Sequence, residues 1–190
     1  VFGGFCYFNN AAIAAHSLSR YGTVAMLDID FHHGNGAQNI FYRRSDVLTV
    51  SLHGHPNIAY PYFSGFADET GEEAGKGFNV NYPLPENAGA EMYLETVEKA
   101  VRRIEKFSPM FLIVCLGFDI IKGDPTGSFG LKADVLKKVG MRLALLNRPT
   151  LVVQEGGYNL RNLKSGAPAF FAGFAATIEK EIPSDSRKQK

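Results

Sequence analysis

The sequence predicts a layered α/β domain built on a parallel central sheet. Three observations carry that expectation: five apolar runs of strand length, amphipathic helical patterns between them, and no repeat, low-complexity tract or linker dividing the chain. Strands separated by helices pair in parallel, because each crossover returns the chain to the same end of the sheet. With 190 residues the chain has the size of one ordinary domain.

Taken in order, Asn10 to Tyr21 reads as a first helix, and Thr23 to Asp30 (TVAMLDID) as a central strand buried on both faces. Val47 to His53 is a second strand. Gly54 to Gly77 then breaks the rhythm with Gly, Pro and aromatics, a long irregular stretch of the kind usually kept for function. Phe78 to Leu84 is the third strand. Ala90 to Phe107 sets Leu94, Val97, Val101 and Ile104 on one stripe, with acids early and bases late as the helix dipole favours. Met110 to Gly117 is the fourth strand. Ala133 to Leu146 is a helix stopped before the next strand by Pro149, Thr150 to Gln154 is the fifth strand, and Leu160 to Thr177 a closing helix. Residues 179–190 read as a charged, fraying tail behind a domain of residues 1–178.

Composition narrows the function. Hydrophobic residues at 45% and charged residues at 21% exclude a disordered chain. Twenty basic against 19 acidic side chains leave a net charge of +1, which gives no field to gather nucleic acid or an anionic membrane. The longest apolar run, Met110 to Phe118, falls well short of a membrane span. No basic segment followed by an apolar one opens the chain. Cys6 and Cys115 sit in apolar strings, predicting buried thiols and a cytoplasmic protein.

Histidine placement is the sharpest chemical signal. Four of the five histidines (His32, His33, His53 and His55) follow two strand ends. Asp28, Asp30 and His32 form D-x-D-x-H at the first of these, and residues two apart on a strand share a face, so Asp30 and His32 are expected to converge on one ion. MFLIVCLGFD carries Asp119 to the end of an equally apolar strand, where a carboxylate is costly to bury without a cation or several donors. QEGGYN ends the fifth strand and presents Tyr158 after two glycines. Two carboxylates and one imidazole leave a divalent ion with open positions, the condition for catalysis, and call for a separate oxyanion donor, a role open to Tyr158. Taken singly, Asp30 reads equally as a capping residue, Tyr158 as a turn aromatic, and Phe5 and Phe63 as core. His33 reads as a packed, hydrogen-bonded residue, and His53 and His55 as loop anchors. Asp68, Glu69, Glu72 and Glu73 read as a solvated loop face. Three strand ends that each carry a site-type residue favour the metal centre.

These motifs together (GGFCYFNNAAIAA, LDIDFHHGNG, LTVSLHG, LGFDIIKGDP and QEGGYN) resemble the zinc-dependent histone deacetylase and acetylpolyamine amidohydrolase superfamily, as far as about Phe174. YPYFSGFADETGEEAGKGFNVNYPLP is more similar to the acetylpolyamine amidohydrolase and bacterial class II-like branch, as is Asn35 where class I enzymes have aspartate. The resemblance implies a three-layer arginase/deacetylase-type fold, of which this chain would be the C-terminal part only. It implies Zn2+ on Asp30, His32 and Asp119, Tyr158 as the group that polarises the acetyl carbonyl, and Asp28 as the partner of a catalytic histidine. It further implies structural K+ on Asp28, Ser51 and the backbone of Asp30, His32 and Leu52, and a substrate channel of Gly4, Phe5, Phe63 and Gly157. The family's adjacent catalytic histidines precede the GFCY motif, and only four residues stand before Phe5 here, so an N-terminally truncated sequence with impaired turnover is expected.

The function implied is hydrolytic removal of acetyl from an acetylated small-molecule amine or an acetyl-lysine peptide, with no nucleic-acid or membrane partner and room for a homo-oligomer of the full-length protein. One alternative is a non-catalytic acyl-amine binding module. A manganese ureohydrolase of the arginase type is disfavoured, because Ile121 stands where a bridging acid would be needed.

Overall fold

The five apolar runs become strands β1 (Val24–Asp28), β2 (Val47–Gly54), β3 (Asn79–Leu84), β4 (Phe111–Leu116) and β5 (Thr150–Gln154) in a computed structural model that describes residues 5–181. All neighbouring strands are parallel, in the order β3-β2-β1-β4-β5. The helices are α1 (Asn10–Leu18), α2 (Asn35–Phe41), α3 (Ala90–Phe107), α4 (Ala133–Ala144) and α5 (Leu160–Glu181).

Alternation along the strands sorts the molecule into three layers. Ala25, Leu27, Leu48, Val50, Leu52, Leu112, Val114 and Leu116 face one side. There they form a core with Val97, Val101 and Ile104 of α3, Leu136 and Val139 of α4, and Phe170 of α5. Val24, Met26, Val47, Ile113 and Cys115 face the other side and pack on Ala11, Ala12 and Ala15 of α1 and Phe41 of α2. The central strands β1, β2 and β4 are buried on both faces, which accounts for their near-continuous apolar sequence. Pro83 is accommodated because β3 lies at an edge, where a missing N–H interrupts no ladder.

The chain passes from β1 outward through β2 to β3, then crosses back so that β4 lies on the opposite side of β1. This reversal opens a crevice at the carboxyl ends of β1 and β4, the usual ligand position in open parallel sheets.

Several boundaries differ from expectation. The first strand stops at Asp28, because beyond it the backbone N–H of Asp30 turns back to the Asp28 side chain. α1 ends at Leu18 and starts from Asn9, whose side chain accepts the N–H of Ala12 at 2.8 Å. α2 was not expected: its sequence, NGAQNIF, is short, contains glycine and buries only Gln38 and Phe41. α5 continues past Thr177 to Glu181. Cys115 is buried, but Cys6 is exposed, along with Phe5, Tyr7 and Phe8. This apolar string precedes the first turn of α1 and meets no element of the described core. No described helix is long and apolar enough to cross a membrane. Gly4 and residues 182–190 lie outside the described residues.

Candidate metal centre

Beyond Asp28 the chain makes two successive side-chain turns. Asp28 Oδ1 accepts the N–H of Asp30 at 3.0 Å, and Asp30 Oδ1 accepts the N–H of His32 at 2.8 Å. D-x-D-x-H therefore works as a pair of Asx turns, not as alternating strand positions, and these turns bring Asp30 and His32 to one point. Asp119 arrives from the β4 side and is fully buried. Its Oδ1 accepts the N–H of Phe31 at 2.9 Å, leaving Oδ2 directed at the imidazole.

The ligand atoms of Asp30, His32 and Asp119 all lie within 4.8 Å of one another. His32 Nδ1 is 3.1 Å from Asp30 Oδ1 and 3.0 Å from Asp119 Oδ2. Asp30 Oδ2 accepts the N–H of Gly156 at 2.7 Å. A Cβ on Gly156 would come within 2.5 Å of Asp30 Oδ2 and 2.6 Å of Asp119 Oδ2, so the third strand end reaches the carboxylates only as glycine. Gly157 follows at φ 131, a left-handed conformation that turns the chain out toward Tyr158.

The electrostatics match a cation site. Burial pushes the Asp28 carboxyl well above its ordinary range, with Asp30 adding to the effect. Burial raises Asp119 to about 6 against the hydrogen bond from His32, and Glu155 is raised to about 7 by burial and by Asp30 and Asp119. At His32 burial disfavours the charge, but the bonds to Asp119 and Asp30 outweigh it and lift the imidazole to about 10. His32 Nδ1 thus faces both carboxylates, the arrangement in which a metal would bridge the three. One imidazole and two carboxylates, braced by backbone N–H groups and converging on a point, fit a divalent ion of the zinc type with open positions.

The other expected site residues lie around this centre. Tyr158 is half exposed, and its ring meets Phe5 edge-on at 5.7 Å. Burial first, then Asp30 and Asp119, raise its phenol, which keeps it protonated near the carboxylates. Phe63 stands exposed on the β2–β3 connection and forms no aromatic pair with either ring among the described residues. Ser51 and Leu52 are buried in β2, with Ser51 beside Asp28 in the ladder.

Two features escaped the sequence. Glu69 is not on a solvated face: its Oε2 accepts Gln38 Nε2 at 2.6 Å and the N–H of Gly65 at 2.8 Å. Buried Asp124, on the connection after β4, bonds to the backbone of Tyr158. Asp124 stands inside the motif LGFDIIKGDP, but nothing near it in sequence indicates the Tyr158 backbone as its partner.

A sequence profile of the histone deacetylase domain matches residues 1–174. The chain belongs to the histone deacetylase family. It is 46% identical over 175 residues to the acetylpolyamine amidohydrolase of Burkholderia pseudomallei (strain 1710b), covering 92% of this chain and 51% of that protein. It is 45% identical over 174 residues to acetylpolyamine amidohydrolase 1 of Pseudomonas aeruginosa, covering 90% and 50%. A crystal structure of the acetylpolyamine aminohydrolase from Burkholderia pseudomallei superposes with TM-score 0.90 at 45% identity, over 93% of this chain and 52% of that one. A histone deacetylase homologue complexed with SAHA superposes with TM-score 0.86 at 30% identity, over 95% and 48%. The chain spans about half the length of each of these relatives.

Proposed function

We propose that the chain forms the metal-binding part of a zinc-dependent amidohydrolase that removes acetyl from acetylated polyamines. The observation that carries this is the convergence of Asp30, His32 and Asp119 on one point in the β1–β4 crevice, with Tyr158 beside it. Similarity to proteins named acetylpolyamine amidohydrolase supports the substrate class.

A zinc ion held there would supply Lewis-acid polarisation of the acetyl carbonyl and a bound water of lowered pKa. For its part, His32 yields the Nδ1 proton it shares with the two carboxylates. Tyr158, held protonated, donates its O–H to the carbonyl oxygen as negative charge develops there. Phe5 and Phe63 flank the narrow alkyl stem, with Gly157 contributing backbone. Asp28 is assigned the role of orienting the histidine that takes the water's proton.

A monovalent cation, K+, is assigned to Asp28, Ser51 and the carbonyls of Asp30, His32 and Leu52. His53 supports it. Its Nε2 donates to Gly65 O at 2.9 Å, so its Nδ1 accepts the Ser51 hydroxyl at 2.8 Å, and the Ser51 oxygen is left free to face a cation beside the Asp28 side chain.

The test is turnover by the whole zinc-loaded protein on acetylputrescine, acetylspermidine and an acetyl-lysine peptide. Higher kcat/KM on the two polyamines is expected. Preference for the peptide would overturn the substrate assignment, and no release of acetate from any of the three would overturn the reaction.

A further inference from the structure

The connection after β4 that carries Asp119 also carries Asp124, whose carboxylate is buried and takes four hydrogen bonds. Oδ1 accepts the N–H of Thr126 at 3.0 Å and its hydroxyl at 2.9 Å. Oδ2 accepts the N–H of Tyr158 at 2.7 Å and that of Asn159 at 3.1 Å. The first pair shapes the Asp124–Thr126 turn itself. The second reaches across to the β5–α5 connection and grips it at Tyr158.

Further bonds run between the same two segments. Asn159 Nδ2 donates to Gly123 O at 2.9 Å, and Asn162 Nδ2 to Ile121 O at 3.1 Å. On the other side of Tyr158, Gly156 is held by its N–H on Asp30 Oδ2 and by its carbonyl, which accepts the N–H of Phe118 at 2.8 Å. Between these anchors Gly157 sits at φ 131, where the backbone has more freedom than at any ordinary residue. Tyr158 would pivot there if it were tied on the glycine side alone. The tie on its own N–H is a charge-assisted bond, stronger than a neutral one, and it comes from the segment that delivers Asp119.

We propose that Asp124 is a positioning residue for Tyr158, fixing the phenol relative to Asp119 by holding the Tyr158 backbone from the Asp119 segment. The proposal rests on the reading of Tyr158 as the oxyanion donor. A donor must meet the place where charge develops, and a displacement of about 1 Å can cost about 100-fold in rate.

The test is a double-substitution cycle in the whole zinc-loaded protein, with kcat, KM and bound zinc measured for Asp124→Asn, Tyr158→Phe and both together. Asp124→Asn keeps the volume but puts an NH2 opposite a backbone N–H. It is expected to lower kcat by about 10- to 100-fold with KM and zinc content little changed. Tyr158→Phe is expected to lower kcat by about 100- to 1000-fold. In the Tyr158→Phe background, adding Asp124→Asn should change kcat by less than about threefold, because the group it positions is gone. An equal loss in both backgrounds would overturn the positioning role. If Tyr158→Phe alone left kcat unchanged, the oxyanion reading would fall and the proposal with it, a result distinct from additivity. Should Asp124→Asn not accumulate as folded protein, Thr126→Val carries the same cycle. It removes one donor to Oδ1, with an expected loss of about fivefold that vanishes beside Tyr158→Phe and overturns the proposal if it persists.

Discussion

His32 and His33 are neighbours in sequence and opposites in chemistry. His32 looks toward the β1–β4 crevice, where two carboxylates lift it to about 10. His33 looks toward the β1–β2–β3 side, where burial lowers it to about 4. On that second side the polar groups satisfy one another. Gln38 Oε1 faces His33 Nε2 at 3.1 Å and accepts Asn79 Nδ2 and Asn81 Nδ2, each at 2.8 Å, while His33 Nδ1 pairs with Ser64 Oγ at 2.8 Å. Both regions combine imidazoles with carboxylates at strand ends. What separates them is balance. The β1–β4 crevice gathers Asp30 and Asp119 around a single imidazole, and the other side sets one carboxylate, Glu69, among amides and neutral imidazoles whose donors find acceptors. The first therefore calls for a cation and the second holds a loop in place.

Substitutions on the two sides should have different consequences. The largest effect is expected from Asp119→Ala, which removes a proposed zinc ligand and leaves His32 facing one carboxylate. Bound zinc and deacetylation should both fall by more than about 100-fold, the upper end of what losing an outer-shell partner costs a metal site. Retention of stoichiometric zinc, read by metal analysis of the purified protein, would erase the distinction between the two regions. Glu69→Ala comes next and should act only on stability. It strips Gln38 Nε2 and the Gly65 N–H of their acceptor, for about 1–3 kcal/mol in urea unfolding, with zinc content unchanged. Loss of zinc in that variant would mean that the network serves the metal centre directly.

The smallest effect is a pH dependence. Burial first, then His33, depress His53 from 6.5 to about 3, so the folded protein keeps it neutral while the unfolded chain protonates it below 6.5. Its contribution to stability is full above pH 6.5 and is lost as pH falls from there toward 3. Buried carboxyls titrate over the same range with the opposite sign, so the measurement is the difference from His53→Gln, which keeps a donor for Gly65 O. The melting temperature of the parent should fall more steeply between pH 6.5 and 5 than that of the variant. Parallel slopes would count against a neutral His53.

The sheet, and the convergence of the three side chains proposed as ligands, were legible in the sequence because each has a local signature. β1 and β4 are apolar enough to be buried on both faces, and each runs into an aspartate. The bracing of those ligands was less legible. D-x-D-x-H suggested strand alternation, whereas its side chains accept the N–H two residues on, a choice the backbone makes only after the strand has ended. Glu69 stands in an acidic run that looks solvated, and its partners Gln38 and Gly65 carry no charge to announce the contact. Asp124 and Tyr158 are 34 residues apart and meet through a backbone N–H, which leaves no trace in side-chain pattern. Cys6 shows the converse, an apolar neighbourhood in sequence with none of the described core beneath it.

The proposed ligands are widely separated along the chain. His32 and Asp119 are 87 residues apart, and α2, β2, β3, α3 and β4 lie between them. An ion bound by both closes that whole stretch into a loop, as a disulfide would. In the chain-entropy picture a cross-link of that span takes about 4–5 kcal/mol of freedom from the unfolded chain. Metal loading should therefore slow unfolding of the central β1–β4 pair, and amide exchange there would read the ion as a removable clasp.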